Sequence, residues 1–523
     1  MKGFWNLTST ISLTLSILFL FGYDYEDVSA VPTRHLCRPE QRDALLQFKN
    51  EFQVLNSSVD SYCDYLNLIK KPHGKTESWM NNSDCCTWEG ITCDAKSGEV
   101  IELDLSCSNL LGKLHSNSSL RKLHSLTTLN LSANGFSGEI MSSIRNLSHI
   151  TSLNLSRNSF SEFNPSSIVD LSYLTSLDLS FNSFSGQIPS SIGNLSHLTY
   201  LDLNLNQITG KIPSSIGNLY NLDYLDLSGN DIVGEIPSSF GNLNQLTRLD
   251  VGLNRLNGSF PIALLNLTGL SYLRLFYNQF TGTIPHNITS LSKLSFFSAS
   301  NNAFTGTLPS SLFTLPSMDT VDLSDNQLNG ILEFGNISSP PKLRRLYVGN
   351  NKLRGPIPGT ISKFTNLVEL ELSDYKTQGP VDFSIFSHLK SLAYLDIPYL
   401  NTTTTIDLND FLSYFKRLGL LDLSGNLVSI TNKSPVPVPP LLYQLHLSGC
   451  GITEFPEFAR SQYMSFLDIS NNKIKGQVPG WLWRLPKLIY LNLSNNTFTG
   501  FENSTKLGLS SRFDLTSVNL QGG

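Results

Sequence analysis

A unit of 24 residues recurs about seventeen times between residues 103 and 500, and no other feature limits the fold so severely. Three adjacent copies are LTSLDLSFNSFSGQIPSSIGNLSH from Leu174, LTYLDLNLNQITGKIPSSIGNLYN from Leu198 and LDYLDLSGNDIVGEIPSSFGNLNQ from Leu222. The L-x-L core ends at Leu179, Leu203 and Leu227. Asparagine follows three positions later at Asn182, Asn206 and Asn230, then glycine at Gly186, Gly210 and Gly234. This is the leucine-rich-repeat period, an α/β solenoid in which each copy supplies one short strand and one outer segment.

Each slot has a physical reason. Alternation along L-x-L turns both leucines into one core and the middle residue outward. An inward asparagine can bond backbone groups of neighbouring coils where the chain leaves the sheet. Glycine permits backbone geometry that a side chain would obstruct. The Ile-Pro that follows (Ile188-Pro189, Ile212-Pro213, Ile236-Pro237) opens the outer segment, where a missing N–H does little harm. One repeat cannot bury its own leucines, so stability comes from stacking. Seventeen parallel strands at about 4.8 Å spacing imply a curved concave sheet with an inner arc of roughly 80 Å.

The chain has 523 residues, which the repeats organise as one elongated body rather than several globules. Charged residues make up 15% and the net charge is −5, which argues against nucleic acid or an anionic membrane surface as partner. Residues 1–30 read as a signal peptide: Lys2, the apolar run ISLTLSILFLFG from Ile11, then Val28-Ser29-Ala30 as a small-residue cleavage site. An uncleaved anchor is the alternative. No later run of eighteen apolar residues occurs. About sixteen N-x-S/T sequons follow the leader: Asn56, Asn81, Asn117, Asn130, Asn146, Asn154, Asn194, Asn257, Asn266, Asn287, Asn336, Asn401, Asn432, Asn492, Asn495 and Asn503. Many arise because the repeat itself spells N-L-S, but their density suits a secretory, glycosylating route.

Residues 31–99 form a cysteine-bearing N-terminal cap over the exposed first leucines, residues 100–500 the repeats, and residues 501–523 an irregular tail. The segment RPEQRDALLQFKNEF from Arg38 predicts a helix with Pro39 in its first turn and Leu45, Leu46, Phe48 and Phe52 as apolar surface. Six of the seven cysteines (Cys37, Cys63, Cys85, Cys86, Cys93, Cys107) cluster here, and Cys450 stands alone. The cluster predicts a disulfide staple, with connectivity unreadable from spacing. A zinc site is disfavoured by the secretory leader and the missing C-x-x-C pair.

The C…CC-x-W-x-G-I-x-C cap, as CCTWEGITC from Cys85, and the L-S-x-N-x-F-x-G-x-I-P repeats resemble plant extracellular leucine-rich-repeat proteins. The first repeat LDLSCSNLLGKL at Leu103 is most similar to the plant receptor-like proteins, including the tomato leaf-mould resistance receptors. The resemblance covers about residues 37–508. It implies a Cys86–Cys93 bridge; Cys37 is assigned to Cys85, and a Cys63–Cys107 bridge stays open. It also implies a type I membrane receptor that senses microbial molecules or peptides outside the cell and signals through partner receptor kinases. Such receptors continue through an island, further repeats, a closing cap and a transmembrane helix. Here the last clear repeat, LIYLNLSNNTFTGF from Leu488, runs into the tail, so the expectation is a truncated receptor, or a soluble form, whose membrane attachment would need a missing C-terminal segment.

Several repeats break the pattern. Ser108, Tyr375, Leu400 and Cys450 hold the asparagine slot; Cys450 reads as a buried ladder residue rather than a reactive thiol. The stretch from Tyr375 to Lys416 loses G-x-I-P and is expected to form ordinary convex segments rather than a bulged recognition surface. PVPVPP from Pro435 is a stiff connector.

The outward strand slots carry the candidate binding residues. The slot before the first strand leucine reads Ser176, Tyr200, Tyr224, Arg248, Tyr272, Phe296, and the slot between the leucines reads Asp178, Asp202, Asp226, Asp250, Arg274, Ser298. Further outward slots add Phe181, Leu205, Leu253, Phe276 and Tyr277. Aromatics and arginine are favoured interface anchors, whereas the aspartate row is consensus framework. Glycans at Asn130, Asn154 and Asn492 would cover the two ends of the face. The expected contact set is therefore Tyr200, Tyr224, Arg248, Tyr272, Arg274, Phe276, Tyr277 and Phe296, facing a protein or peptide.

No catalytic constellation, P-loop, kinase signature or cofactor motif accompanies them, and His149 and His197 sit in outer N-L-S-H segments. Ligand perception is the leading function. A soluble inhibitor of a microbial cell-wall enzyme, similar to polygalacturonase-inhibiting proteins, or a decoy fragment is the alternative.

Overall fold

The computed structural model describes residues 36–55, 63, 74–138, 140–161, 170–430 and 439–502. The expected signal peptide, most of PVPVPP, the end of the tail and the sequons Asn56, Asn432 and Asn503 lie outside the described residues. None of the described helices is long and apolar enough to cross a membrane.

The fold begins with the helix Pro39–Lys49, whose proline occupies the first turn and whose Ala44, Leu45 and Phe48 are buried. Gln41 Oε1 accepts the Val100 N–H at 2.8 Å, tying this helix to the first strand of the sheet. Phe48, Phe52 and Phe136 form an edge-to-face chain, with ring centroids 5.2 and 5.7 Å apart. The chain carries the cap's apolar surface into the repeat core. Trp79 and Trp88 stack at 5.5 Å, and each indole N–H finds an acceptor, Glu89 O and Ser83 Oγ. Disulfides join Cys37 to Cys85, Cys63 to Cys107 and Cys86 to Cys93. The Cys37, Cys85 and Cys86 sulfurs lie within 4.8 Å of one another but are consumed by two of these bridges, leaving no thiolate for a metal.

The concave sheet has 18 strands. Ile91–Cys93 pairs antiparallel with Val100–Asp104, and all later neighbours are parallel, with like positions opposite each other. The sheet is open: the described residues give Ile91–Cys93 and Tyr490–Asn492 one neighbouring strand each. A second row of short parallel pairs, such as Ser185–Gln187 with Gln207–Thr209, runs along the flank. The 3-10 turns Ser190–Asn194, Ser214–Asn218 and Ser238–Asn242 form the outer wall, each capped by a proline.

Inward-facing asparagines, buried or half-buried, bind the coils together. Asn182 Nδ2 donates to Leu155 O at 2.9 Å in the preceding coil and to Leu179 O at 3.2 Å in its own. Its Oδ1 accepts the Phe160 N–H at 3.1 Å. Asn206, Asn230, Asn254, Asn278 and Asn302 repeat this arrangement. Where asparagine is absent, other groups occupy the slot. Tyr375 is buried and its hydroxyl donates to Arg354 O and Pro356 O. Leu400 is simply buried. Cys450 Sγ donates to Leu423 O at 3.2 Å, and burial pushes its thiol up to about 12, which keeps it inert at neutral pH.

The glycines serve two purposes. Gly186 has φ +95° with open space where a Cβ would sit, so backbone conformation alone requires it, as expected from sequence. Gly217 differs: a Cβ there would lie 2.4 Å from Ser239 O, so it allows the outer turns to close up. In the irregular stretch the strands Glu369–Glu371, Tyr394–Asp396 and Leu420–Asp422 continue without a bulge. The extra residues are absorbed outside, where the helix Leu408–Ser413 packs Phe411 edge-on against Phe386 and Phe415.

Asn230 has its amide nitrogen on Leu203 O, Leu227 O and Ser228 O and its oxygen on the Ile208 N–H. Asn230→Ala strands these buried groups and is expected to destabilise the chain by about 2–3 kcal/mol. Asn194→Ala on the exposed outer turn should change it by less than about 0.5 kcal/mol. Denaturant melts of the two variants check the contrast.

Candidate functional site

In-register pairing converts the outward sequence slots into continuous ladders. Tyr200 lies opposite Tyr224, Tyr224 opposite Arg248, Arg248 opposite Tyr272, and Tyr272 opposite Phe296. The rings of Tyr200 and Tyr224 stack at 4.3 Å and those of Tyr272 and Phe296 at 4.6 Å. Arg248 bridges the two pairs, its guanidinium 3.6 Å from the Tyr272 centroid and 5.4 Å from that of Tyr224. The result is one unbroken row of flat groups across five repeats.

Beside this row the repeat Tyr272-Leu273-Arg274-Leu275-Phe276-Tyr277 departs from L-D-L-S. Arg274 replaces the aspartate and forms an ion pair with Asp250 at 3.2 Å, while its guanidinium lies 4.1 Å from the Phe276 centroid. Phe276 replaces serine. It fits because its neighbour is Gly252, where a Cβ would come within 2.0 Å of the ring. Tyr277 packs edge-on to Phe276 at 5.9 Å and is 54% exposed. The Nε atoms of Arg248 and Arg274 are buried without a hydrogen-bond partner. All eight residues expected from sequence thus lie on one contiguous surface.

Two features escaped the sequence reading. The first is backbone strain: Phe181, Leu205, Leu253 and Tyr277 have φ between 49° and 52°, in the left-handed region. Asn301, Asn350, Asn471 and Asn495 hold the same slot elsewhere, residues that tolerate this region better. Bulky apolar groups therefore stand exposed at a conformational cost of about 1 kcal/mol each. The signal in sequence is weak, since the slot holds Asn, Asp or Gly in many other copies but Cys107, Ala133, Arg157 and Tyr399 in the rest.

The second is the aspartate row, which is framework but not inert. Each Oδ1 of Asp202, Asp226 and Asp250 accepts the N–H two residues on. All three carboxylates are buried beneath the ladder, and the hydroxyls of Tyr200 and Tyr224 both donate to Asp202 Oδ2. Burial, reinforced by the neighbouring charges of Asp226 and Asp178, raises the Asp202 carboxyl to about 7. Burial likewise raises Asp250 to about 6.

Family profiles match most of the repeats and the cap: "Leucine-rich repeat region" at 177–430, "Leucine rich repeat" at 125–184 and 440–511, and "Leucine rich repeat N-terminal domain" at 38–61 and 65–94. Receptor-like protein 53 of Arabidopsis thaliana is 69% identical over 97% of this chain and 58% of its own length. Receptor-like protein 35 of the same plant is 71% identical over 98% of this chain and 57% of its own. The chain belongs to the plant leucine-rich-repeat receptor-like proteins. It spans somewhat under three fifths of the curated relatives it matches. The fold is similar to the Arabidopsis receptor kinase HAESA in complex with the peptide hormone IDA and the co-receptor SERK1. That likeness has a TM-score of 0.64 and 28% identity, over 88% of this chain and 82% of that one. Members of the receptor-like protein family bind ligands and are not enzymes.

In this receptor-like protein the sequons divide by position. Asn81, Asn117, Asn146, Asn194, Asn257, Asn266, Asn287, Asn336, Asn401 and Asn495 are exposed. Asn130, Asn154 and Asn492 are half-buried on the concave strands, each with its amide oxygen accepting a serine N–H.

The buried carboxylates predict a pH dependence. A folded pKa above the unfolded value of about 4 means that the native state binds more protons, so stability falls as pH rises from about 4 to 7. Asp202→Asn keeps the acceptor for the Asn204 N–H and should flatten this fall by on the order of 1–2 kcal/mol. Thermal melts from pH 4.5 to 7.5 test it, and a variant that tracks the parent at every pH contradicts it.

Proposed function

We propose that this chain is the ligand-recognition part of a plant receptor-like protein that perceives a protein or peptide outside the cell in defence. The contacts are Tyr200, Tyr224, Arg248, Tyr272, Arg274, Phe276, Tyr277 and Phe296 on the concave face. The observation that carries this reading is the ring-and-guanidinium ladder with its two buried, unpartnered arginine Nε atoms. Aromatic and arginine groups held flat and already desolvated lose little entropy on binding, which is what makes such residues anchors. Exposed apolar groups at strained positions beside them add contact area that the fold itself does not use.

The chain enters the secretory pathway, carries glycans at its exposed sequons, and reaches the plasma membrane through a C-terminal segment like that of its family. Partner receptor kinases then relay the signal. The HAESA complex, with peptide and co-receptor on one ectodomain, supports such an arrangement by likeness.

The test is affinity capture of microbial and plant peptide fractions on the secreted chain, followed by titration of the captured ligand against variants. Tyr224→Ala, Tyr272→Ala and Arg274→Ala should each weaken binding at least about tenfold, or about 1.4 kcal/mol, while preserving the thermal midpoint. Unchanged affinity in all three would remove the concave face from consideration.

A further inference from the structure

A hollow of about 730 Å³ opens at a different place, along the edge where outer segments re-enter the sheet between Glu369 and Lys487. Its origin lies in one column of the repeat. Two residues before the strand leucine, many of the earlier copies have Thr or Ser, whose hydroxyl donates to the carbonyl one repeat back. Thr175 bonds Thr151 O at 3.0 Å, Thr199 bonds Thr175 O at 3.0 Å, and Ser295 bonds Ser271 O at 2.9 Å. After Ser295 the column changes to Asp319, Arg344 and Val368, and then to the small residues Ala393 and Gly419. These two keep the backbone link, with Gly419 N–H on Ala393 O at 2.8 Å, and add little side chain to the hollow they line. In the next repeat the column holds Tyr443, whose ring reaches back over Gly419; a Cβ there would lie 2.7 Å from the ring.

The walls are largely apolar, and two cations and one carboxylate line them. Tyr443 is 46% exposed, Tyr463 39% and Leu441 54%, so the hollow presents rings and aliphatic surface to solvent. Arg417 and Lys487 are exposed and join no ion pair among the described residues. The Lys487 ammonium sits 4.8 Å from the Tyr463 centroid. Glu369 also lines the hollow, but its carboxylate already accepts the Tyr347 hydroxyl.

We propose that this hollow is a second binding site, for an acidic segment of a peptide: carboxylates against Arg417 and Lys487, and an intervening apolar side chain against Tyr443 and Tyr463. Its volume lies within the roughly 300–1,000 Å³ of sites that enclose small ligands. An excess of cations that join no ion pair, beside apolar walls, favours a ligand that is both anionic and hydrophobic. A sugar would demand more free acceptors than the occupied Glu369 supplies. The site stands apart from the ladder at residues 200–296. Five strand-to-strand spacings separate Phe297 from Leu421, about 24 Å, which roughly seven extended residues would bridge.

The test is fluorescence anisotropy of the secreted chain with a labelled octapeptide of alternating glutamate and phenylalanine. Its glutamine counterpart is the neutral control and trigalacturonate the competitor. Saturable binding is expected that weakens with salt. It should fall at least tenfold for the glutamine peptide, for the double variant Arg417→Gln, Lys487→Gln, and for Gly419→Leu, which fills the hollow. Tyr224→Ala should keep full affinity, and Ala393→Leu serves in place of Gly419→Leu if that variant melts early. Absence of saturable binding, or equal affinity for the neutral peptide, overturns the proposal. So does affinity that survives the hollow variants but is lost in Tyr224→Ala, which would place the peptide on the ladder instead. Trigalacturonate binding that depends on Arg417 and Lys487, without peptide binding, would replace the peptide with an acidic sugar.

Discussion

A single buried carboxamide holds one coil to the next. The asparagine after each L-x-L reaches back to a carbonyl of the preceding coil and forward to its own, while its oxygen takes an N–H of the preceding coil. Those backbone groups lie where the chain turns out of the sheet, too deep for water and beyond the reach of the strand pairing. Satisfying them sets adjacent coils in one register. The in-register sheet follows, and from it the alignment of every outward side chain with its counterpart one repeat away.

That alignment gives the concave face its chemistry. A tyrosine at one strand position is an ordinary surface residue. When the same position holds Tyr, Tyr, Arg, Tyr and Phe in successive strands, the groups stack, and the carboxylates two positions on become buried beneath them. Desolvation and mutual repulsion then raise the carboxyls of Asp202 and Asp250, and the Tyr200 and Tyr224 hydroxyls become hydrogen-bond donors to Asp202. Framework and binding surface are therefore physically coupled: a residue chosen by the repeat modulates residues that the repeat leaves free.

The period, the strand positions and the inward leucines were readable because 24-residue spacing and two-residue alternation are local properties. The alignment of the five ladder residues was readable for the same reason, since parallel register turns a sequence column into a spatial one. Substituted ladder positions were harder. Cys450 could be assigned to the buried slot, but nothing in the sequence indicated that Tyr375 would turn inward and bond Arg354 O and Pro356 O. The left-handed backbone at Leu205 and Tyr277 went unread because the slot holds residues as different as Asn301, Asp325, Arg157 and Tyr399. The hollow went unread because Ala393 and Gly419 appear as lost hydroxyls rather than gained groups.

The sequence by itself determined the solenoid, its repeat number, the cysteine-bearing cap and the face on which free side chains stand. Those follow from periodicity and from the need of each repeat to bury its leucines against a neighbour. Only the tertiary structure decided which of those side chains touch, which carboxylates lose their water, and where small residues open a cavity. Desolvation and stacking depend on atoms from several repeats at once, and no single copy of the unit contains them.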